Sequence, residues 1–325
     1  MNGCSLLDAV TANISTQLQQ ALSQLQALVC LRLYGEVAHD SVVQHVSSLT
    51  GLQELALVDG IFTTASFQQL PQSLTRLSIT WPIDDYDDDG IHLNRILSAS
   101  TAPGLCALTA LKKFEVHDVS VEEYTVAVEL LAYMTSLQLL DLKDTELGVP
   151  GTLSVLTALT QLTSLRLPIL DSEVTLLSNA DTAAVTASPQ LVKLDLSDSW
   201  LTADKCQHLF PATRQLLQLT RLDVNIDLIH DGPEASRVAA CCPNLASITL
   251  ARATQRDWVP MPIADDQFVV DCLVAMLLRW QPPQLQHLNS LTIDLQGLLM
   301  PPEVWRALAR LTQLQVRILG WFPSS

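Results

Sequence analysis

An apolar phrase spaced Leu-x-x-Leu-x-x-Leu-x-Leu returns eleven times along this chain, and no other feature narrows its folding options so far. Leu25/Leu28/Leu31/Leu33, Leu49/Leu52/Leu55/Leu57 and Leu159/Leu162/Leu165/Leu167 are leucine throughout. Six copies vary conservatively, among them Leu108/Leu111/Phe114/Val116, Cys242/Leu245/Ile248/Leu250 and Leu308/Leu311/Leu314/Val316. Two are irregular: Leu70/Leu74/Leu77/Ile79 carries an insertion and Ser188/Leu191/Leu194/Leu196 opens on a polar residue. The second position is leucine in every copy, and successive copies lie 22 to 29 residues apart except for two spacings of 37 and 43. A phrase returning at such a period marks a repeat protein.

The last two apolar positions are two apart, so in extended chain they share one side while their neighbours point to the other. The spacing therefore predicts a short strand in each copy. The earlier three-residue steps suit a turn or helix end. Between copies the apolar residues take helical spacing, as in Val42/Val43/Val46, Tyr124/Val128/Leu131, Leu176/Leu177/Ala180/Ala184 and Phe268/Cys272/Met276. One strand-loop-helix unit cannot bury its own leucine row, so units must stack and share a core. Strands joined in this way form a parallel sheet.

The phrase resembles the leucine-rich repeat over residues 22 to 319, with period and helical connections similar to the ribonuclease-inhibitor and cysteine-containing intracellular subtypes. The resemblance implies an α/β leucine-rich-repeat solenoid, a horseshoe with a concave parallel sheet and convex helices. One departure stands out. Where the family places Asn or Cys to hold the turn, three residues past the last apolar position, this chain has Glu36, Gly60, Pro82, Val119, Thr145, Leu170, Ser199, Asp227, Ala253, Gln296 and Leu319. The turns must be held by other groups.

The expected organisation is an N-terminal capping helix over 1–24, a repeat domain over 25–319 with insertions near 81–106 and 252–284, and a C-terminal cap at 320–325. Leu6, Leu7, Val10, Ile14, Leu18, Leu22 and Leu25 recur mostly at three- or four-residue steps, and Gly320-Trp321-Phe322-Pro323 is placed to cover the last repeat. Seven scattered cysteines lack zinc or disulfide-scaffold spacing, which favours a reduced setting. Residues 1–10 do not read as a signal peptide, and no run reaches the length of a membrane helix. These observations point to the cytoplasm, and the family resemblance adds the cytoskeleton or axoneme.

A net charge of -16 argues against nucleic acid as a ligand. The charge is unevenly spread. The predicted outward strand positions hold Arg32, Arg76, Lys113, Lys143, Arg166, Lys193, Arg221 and Arg317 against Glu54, Glu115, Asp141, Asp195, Asp223 and Asp294, a basic excess within an acidic chain. Parallel strands bring such charges side by side, where they compensate one another or form a mixed-charge docking face. The candidate partner-binding residues on the concave face are Asp141, Lys143, Arg166, Lys193, Asp195, Arg221 and Asp223. Tyr34, Trp81, Trp200 and Trp258 lie near strand ends and form a candidate rim, either covering the core or anchoring a partner.

Asp85-Tyr86-Asp87-Asp88-Asp89-Gly90 opens like a calcium loop, with Asp85, Asp87 and Asp89 as candidate ligands. The likeness stops there, because the ninth and twelfth positions are Leu93 and Ile96. Cys241-Cys242-Pro243 has a redox look, yet Cys242 occupies an apolar position of the repeat, where it packs as core. No nucleophile elbow, phosphate loop or dinucleotide fingerprint is present. The expectation is a non-catalytic scaffold for a protein partner, with no cofactor, nucleic acid, membrane or small-molecule substrate. The resemblance implies roles such as ligase substrate receptor, cytoskeletal regulator or inhibitor-type clamp. The alternative is a metal-dependent regulator or enzyme using the acidic loop at 84–89.

Overall fold

The computed structural model describes residues 17, 20–22, 24–35, 40–58, 67–80, 96–97, 102–117, 120–121, 130–143, 146–147, 152–167, 178–197, 199, 203–225, 232–251, 287–294, 302–311 and 313–319. The chain divides into two compact units, Met1–Gly148 and Val149–Ser325.

In the first unit the repeat strands are β1 (Cys30–Tyr34), β2 (Glu54–Val58), β3 (Arg76–Thr80), β5 (Lys113–His117) and β7 (Leu139–Asp141), paired in parallel in that order. Three two-residue strands, β4 (Ile96–Leu97), β6 (Ser120–Val121) and β8 (Glu146–Leu147), form a second parallel sheet. The sequence phrase does not announce it, because these strands lie outside the repeated cell. Helices α1 (Asp40–Val46) and α2 (Ala102–Cys106) lie between strands.

In the second unit β9 (Ser164–Arg166), β10 (Lys193–Leu196), β11 (Arg221–Asn225), β12 (Ser247–Ala251), β13 (Ser290–Asp294) and β14 (Gln315–Leu319) pair in parallel in chain order. A 3-10 turn (Thr152–Ala158) and helices α3 (Asn179–Val185), α4 (Ala203–Leu209), α5 (Gly232–Cys241) and α6 (Pro302–Leu308) supply the connections. Helix α3 starts at a capping box in which the Ser178 hydroxyl accepts from Asp181 N and the Asp181 carboxylate accepts from Ser178 N. Both units thus have the leucine-rich-repeat architecture, and eleven strands among the described residues each carry one cell.

The leucine phrase maps onto the backbone step by step. Its first three-residue step is a turn closed by a hydrogen bond from the second apolar residue to the first, as in Leu52 N to Leu49 O, Leu111 N to Leu108 O and Leu219 N to Leu216 O. Register pairing then stacks like on like: Leu55 faces Leu77, and Leu222 faces Ile248. These four side chains are buried, each contributing about 1.5–3 kcal/mol on removal from water. Ser188, the polar opening of one phrase, is buried too, and its hydroxyl donates to Leu162 O at 2.8 Å.

One cell needs correcting. The register pairs Leu291 with Val316 and Ile293 with Ile318, so the inward pair of the last strand is Val316/Ile318 and not Leu314/Val316. Leu311 N to Leu308 O and Leu314 N to Leu311 O are two successive turns, which carry the strand two residues further along. Arg317 stays outward, and Leu319, read in the sequence as a turn position, becomes an exposed strand residue.

With no asparagine ladder, main-chain carbonyls tie repeat to repeat. Val29 O accepts from both Gln53 N and Glu54 N, and Gln53 O accepts from Thr75 N and Arg76 N. The pattern continues through Thr75 and Lys112 in the first unit, and through Thr163, Val192, Thr220 and Ala246 in the second. Strand aspartates hold turns as well: Asp141 Oδ1 accepts from Lys143 N at 3.1 Å, and Asp195 Oδ1 from Ser197 N at 3.2 Å.

Of the predicted end caps, Leu22 is buried while Leu25 is half exposed. Residues 320–325, most of 1–24, all of 252–284 and residues 81–95 and 98–101 of the first insertion lie outside the described residues.

Candidate functional site

Strand alternation turns every second residue of β9, β10 and β11 away from the leucine row, and parallel register sets these residues in rows across the sheet. One row runs Ser164, Lys193, Arg221, Ser247, Ser290, Gln315; the next runs Arg166, Asp195, Asp223, Thr249, Thr292, Arg317. Five of the seven charged residues proposed from sequence therefore meet. Arg166 Nε lies 3.5 Å from Asp195 Oδ2, and Lys193 Nζ lies 3.7 Å from the same oxygen and 3.9 Å from Asp223 Oδ2. Arg221 Nε donates to Asp223 Oδ2 at 3.0 Å and to Oδ1 at 3.3 Å. The result is a chain of contacts, Arg166–Asp195–Lys193–Asp223–Arg221, with three cations and two carboxylates. Both aspartates are buried, which the cations and the Ser197 turn make tolerable by supplying donors to the carboxylate oxygens.

Asp141 and Lys143 belong to the first unit. Asp141 Oδ1 lies 3.4 Å from His117 Nε2 and also accepts from Lys143 N. The same sheet carries a pair that the candidate set passed over: Arg76 and Glu115, joined by contacts of 3.1 to 3.3 Å from Nε and Nη2. They sit one row apart on adjacent strands, yet the first insertion separates them in sequence, so nothing local joins them.

The first unit also has a shallow hollow of ≈ 200 Å³ on its strand face. Ala56 and Ser78, small residues in register, line it together with Arg32, Tyr34, Glu54 and Arg76. The Tyr34 hydroxyl, by hydrogen bonding, raises the Arg32 pKa above its ordinary value. Tyr34 is the one proposed rim aromatic among the described residues, and it is exposed. Trp81, Trp200 and Trp258 lie outside them, as do Asp85, Asp87 and Asp89. Ile96, at the twelfth position of the acidic loop, pairs with Ser120 in the small sheet.

Cys242 packs in the core, as its place in the phrase requires, and Cys206 and Cys241 are buried with it. Cys241 Sγ donates to Arg214 O at 3.0 Å. Hydrogen bonding with Cys242 lowers the Cys241 thiol to about 7 and drives Cys242 upward, while burial pushes Cys206 up to about 12. Among the described residues no group of three or more His, Cys, Asp or Glu is placed to hold a metal, and no helix is long and apolar enough to cross a membrane.

The class defined by the repeated cell and its stacked strands is the leucine-rich repeat, with the subtype left open. No family model matches the chain, and no curated protein matches it. Among solved structures it is similar to an internalin (inlF) from Listeria monocytogenes str. 4b F2365, at 12% identity, covering 97% of this chain and 95% of that one with a TM-score of 0.43. The fold assignment rests on the strands and their register.

Proposed function

We propose that this chain is a non-catalytic scaffold that docks a protein partner on the outward face of its sheet, centred on Arg166, Lys193 and Arg221. The observation that carries the reading is the ladder of contacts through Asp195 and Asp223, which gathers one-sixth of the chain's 18 basic residues on three adjacent strands of a chain whose net charge is -16. Charges fixed in this way favour specificity and association rate more than fold stability, since partly exposed ion pairs contribute little to the latter. Asp195 and Asp223 position the cations, and the cations meet the partner. Tyr34 and the hollow beside it are a separate candidate contact within the first unit. Affinity capture from native extract tests the reading by comparing the wild-type chain with the Arg166→Glu/Arg221→Glu variant. Loss of capture with an intact fold is expected, and undiminished capture removes this face from consideration.

A further inference from the structure

We propose that the partner segment seated on the second unit's sheet face is acidic, its carboxylates meeting Arg221, Lys193 and Arg166. This rests on the reading of that face as the docking surface and adds the chemistry of what it receives.

The formal balance of the cluster, three cations to two carboxylates, understates how positive it is to a visitor. The Asp195 and Asp223 side chains are 8% and 5% exposed, whereas those of Arg166, Lys193 and Arg221 are 27%, 34% and 52% exposed. The anions lie at the floor and the cations above them. Asp195 is further committed to the Ser197 amide and hydroxyl, so its Oδ1 is taken. Arg221 bonds Asp223 through Nε alone, and among the described residues its Nη donors make no hydrogen bond. A guanidinium in that state keeps a donor edge that matches a second carboxylate.

The neighbouring strands extend the match. In the two rows that contain the cluster, β12 and β13 present Ser247, Thr249, Ser290 and Thr292, all half-buried hydroxyl residues. Beyond them β14 presents Gln315 and Arg317, both exposed. An acidic segment crossing these strands meets no carboxylate in those rows except the two sunken aspartates. Hydroxyls bond either the backbone or the side chains of an extended peptide, and Arg317 supplies a cation in the same row. The chain's overall negative charge does not oppose this, because at physiological ionic strength charges beyond about 8 Å are largely screened.

The test uses the full chain and two fluorescein-labelled peptides, one of alternating Glu and Gly and one of alternating Lys and Gly, with a short single-stranded oligonucleotide as third probe. Anisotropy is read at an ionic strength of about 0.15 M, where screening is set by the Debye length above. The acidic peptide is expected to bind saturably, with affinity reduced about tenfold or more by Arg221→Glu and unchanged by Arg310→Glu, a reversal away from the sheet face. Arg221→Gln removes the cation without adding charge beside Asp223, and gives the same loss if the Glu variant fails to fold. No saturable binding of the acidic peptide, equal binding of the basic one, or indifference to both Arg221 variants overturns the proposal, as does an Arg221-dependent preference for the oligonucleotide. The two readings fail differently. Capture that is lost on charge reversal while the acidic peptide neither binds nor displaces the captured protein leaves the face standing and removes the acidic segment. Capture unaffected by charge reversal removes the face itself.

Discussion

Asp195 and Asp223 are register neighbours on adjacent parallel strands, two buried carboxylates side by side, and Lys193 Nζ lies within 3.7 Å of one and 3.9 Å of the other. Like charges in register repel, and the lysine that touches both offsets that repulsion. Lys193→Met is expected to destabilise the fold by about 1–2 kcal/mol, because it leaves buried charge less compensated. In an Asp223→Asn background the same substitution is expected to cost clearly less, the difference being the coupling between the pair. Urea denaturation of the four chains of this cycle measures it, and equal costs in both backgrounds refute the linkage.

Gly104 in α2 lies against the backbone of Phe67 and Gln68: a Cβ there would overlap Phe67 O and stand 2.7 Å from Gln68 N. Backbone atoms cannot swing aside as a side chain does. Gly104→Ala is therefore expected to destabilise by about 1–3 kcal/mol through overpacking, despite alanine's better helix propensity. A higher midpoint in thermal unfolding for the alanine variant would contradict this packing.

Burial holds the Cys206 proton up to about pH 12, whereas the thiol of an unfolded chain releases it near 9.0. Between those values the unfolded state carries fewer protons than the folded one, so stability falls as pH rises. Below pH 9.0 both states are protonated there and the contribution is flat. Cys206→Ala is expected to remove part of the alkaline decline seen in denaturation midpoints between pH 9 and 11. An identical decline in the variant assigns it to other groups. Exposed Cys30 is expected to react readily with a thiol reagent at neutral pH, while Cys206 and Cys242 react on unfolding.

Ser188 fills a position that leucine, methionine or cysteine occupies in other repeats, and its hydroxyl donates to the Leu162 carbonyl of the preceding repeat. Ser188→Ala is expected to cost about 1–2 kcal/mol by leaving that carbonyl short of a donor, a greater loss than Ser154→Ala at an exposed site. Denaturant midpoints compare the two directly, and equal effects would remove the inter-repeat role.

The sequence was most legible where one rule acted alone. Strand alternation and the recurring leucines placed eleven strands, and the rule failed where two consecutive turns shifted β14 by two residues, a displacement that leucine spacing cannot register because Leu314 is apolar and fits either reading. The small sheet of β4, β6 and β8 has no sequence signature because two-residue strands leave no periodicity. For the site, adjacency within a row is readable: Arg166 beside Asp195 follows from counting along the phrase. Depth is not. That the aspartates lie beneath the cations, and that Asp195 holds its own turn, depends on side-chain direction, which composition does not encode. Arg76 and Glu115 read as outward charges, but the insertion between them hides their adjacency.

The central claim is that the cations on β9, β10 and β11 receive the partner. The dissociation constant of the captured protein, measured against purified wild type, Arg221→Glu and Arg310→Glu, tests it most directly. Binding about tenfold or more weaker for Arg221→Glu, with Arg310→Glu unchanged and all three folded to the same thermal midpoint, is the predicted result. Equal affinity for wild type and Arg221→Glu would contradict it.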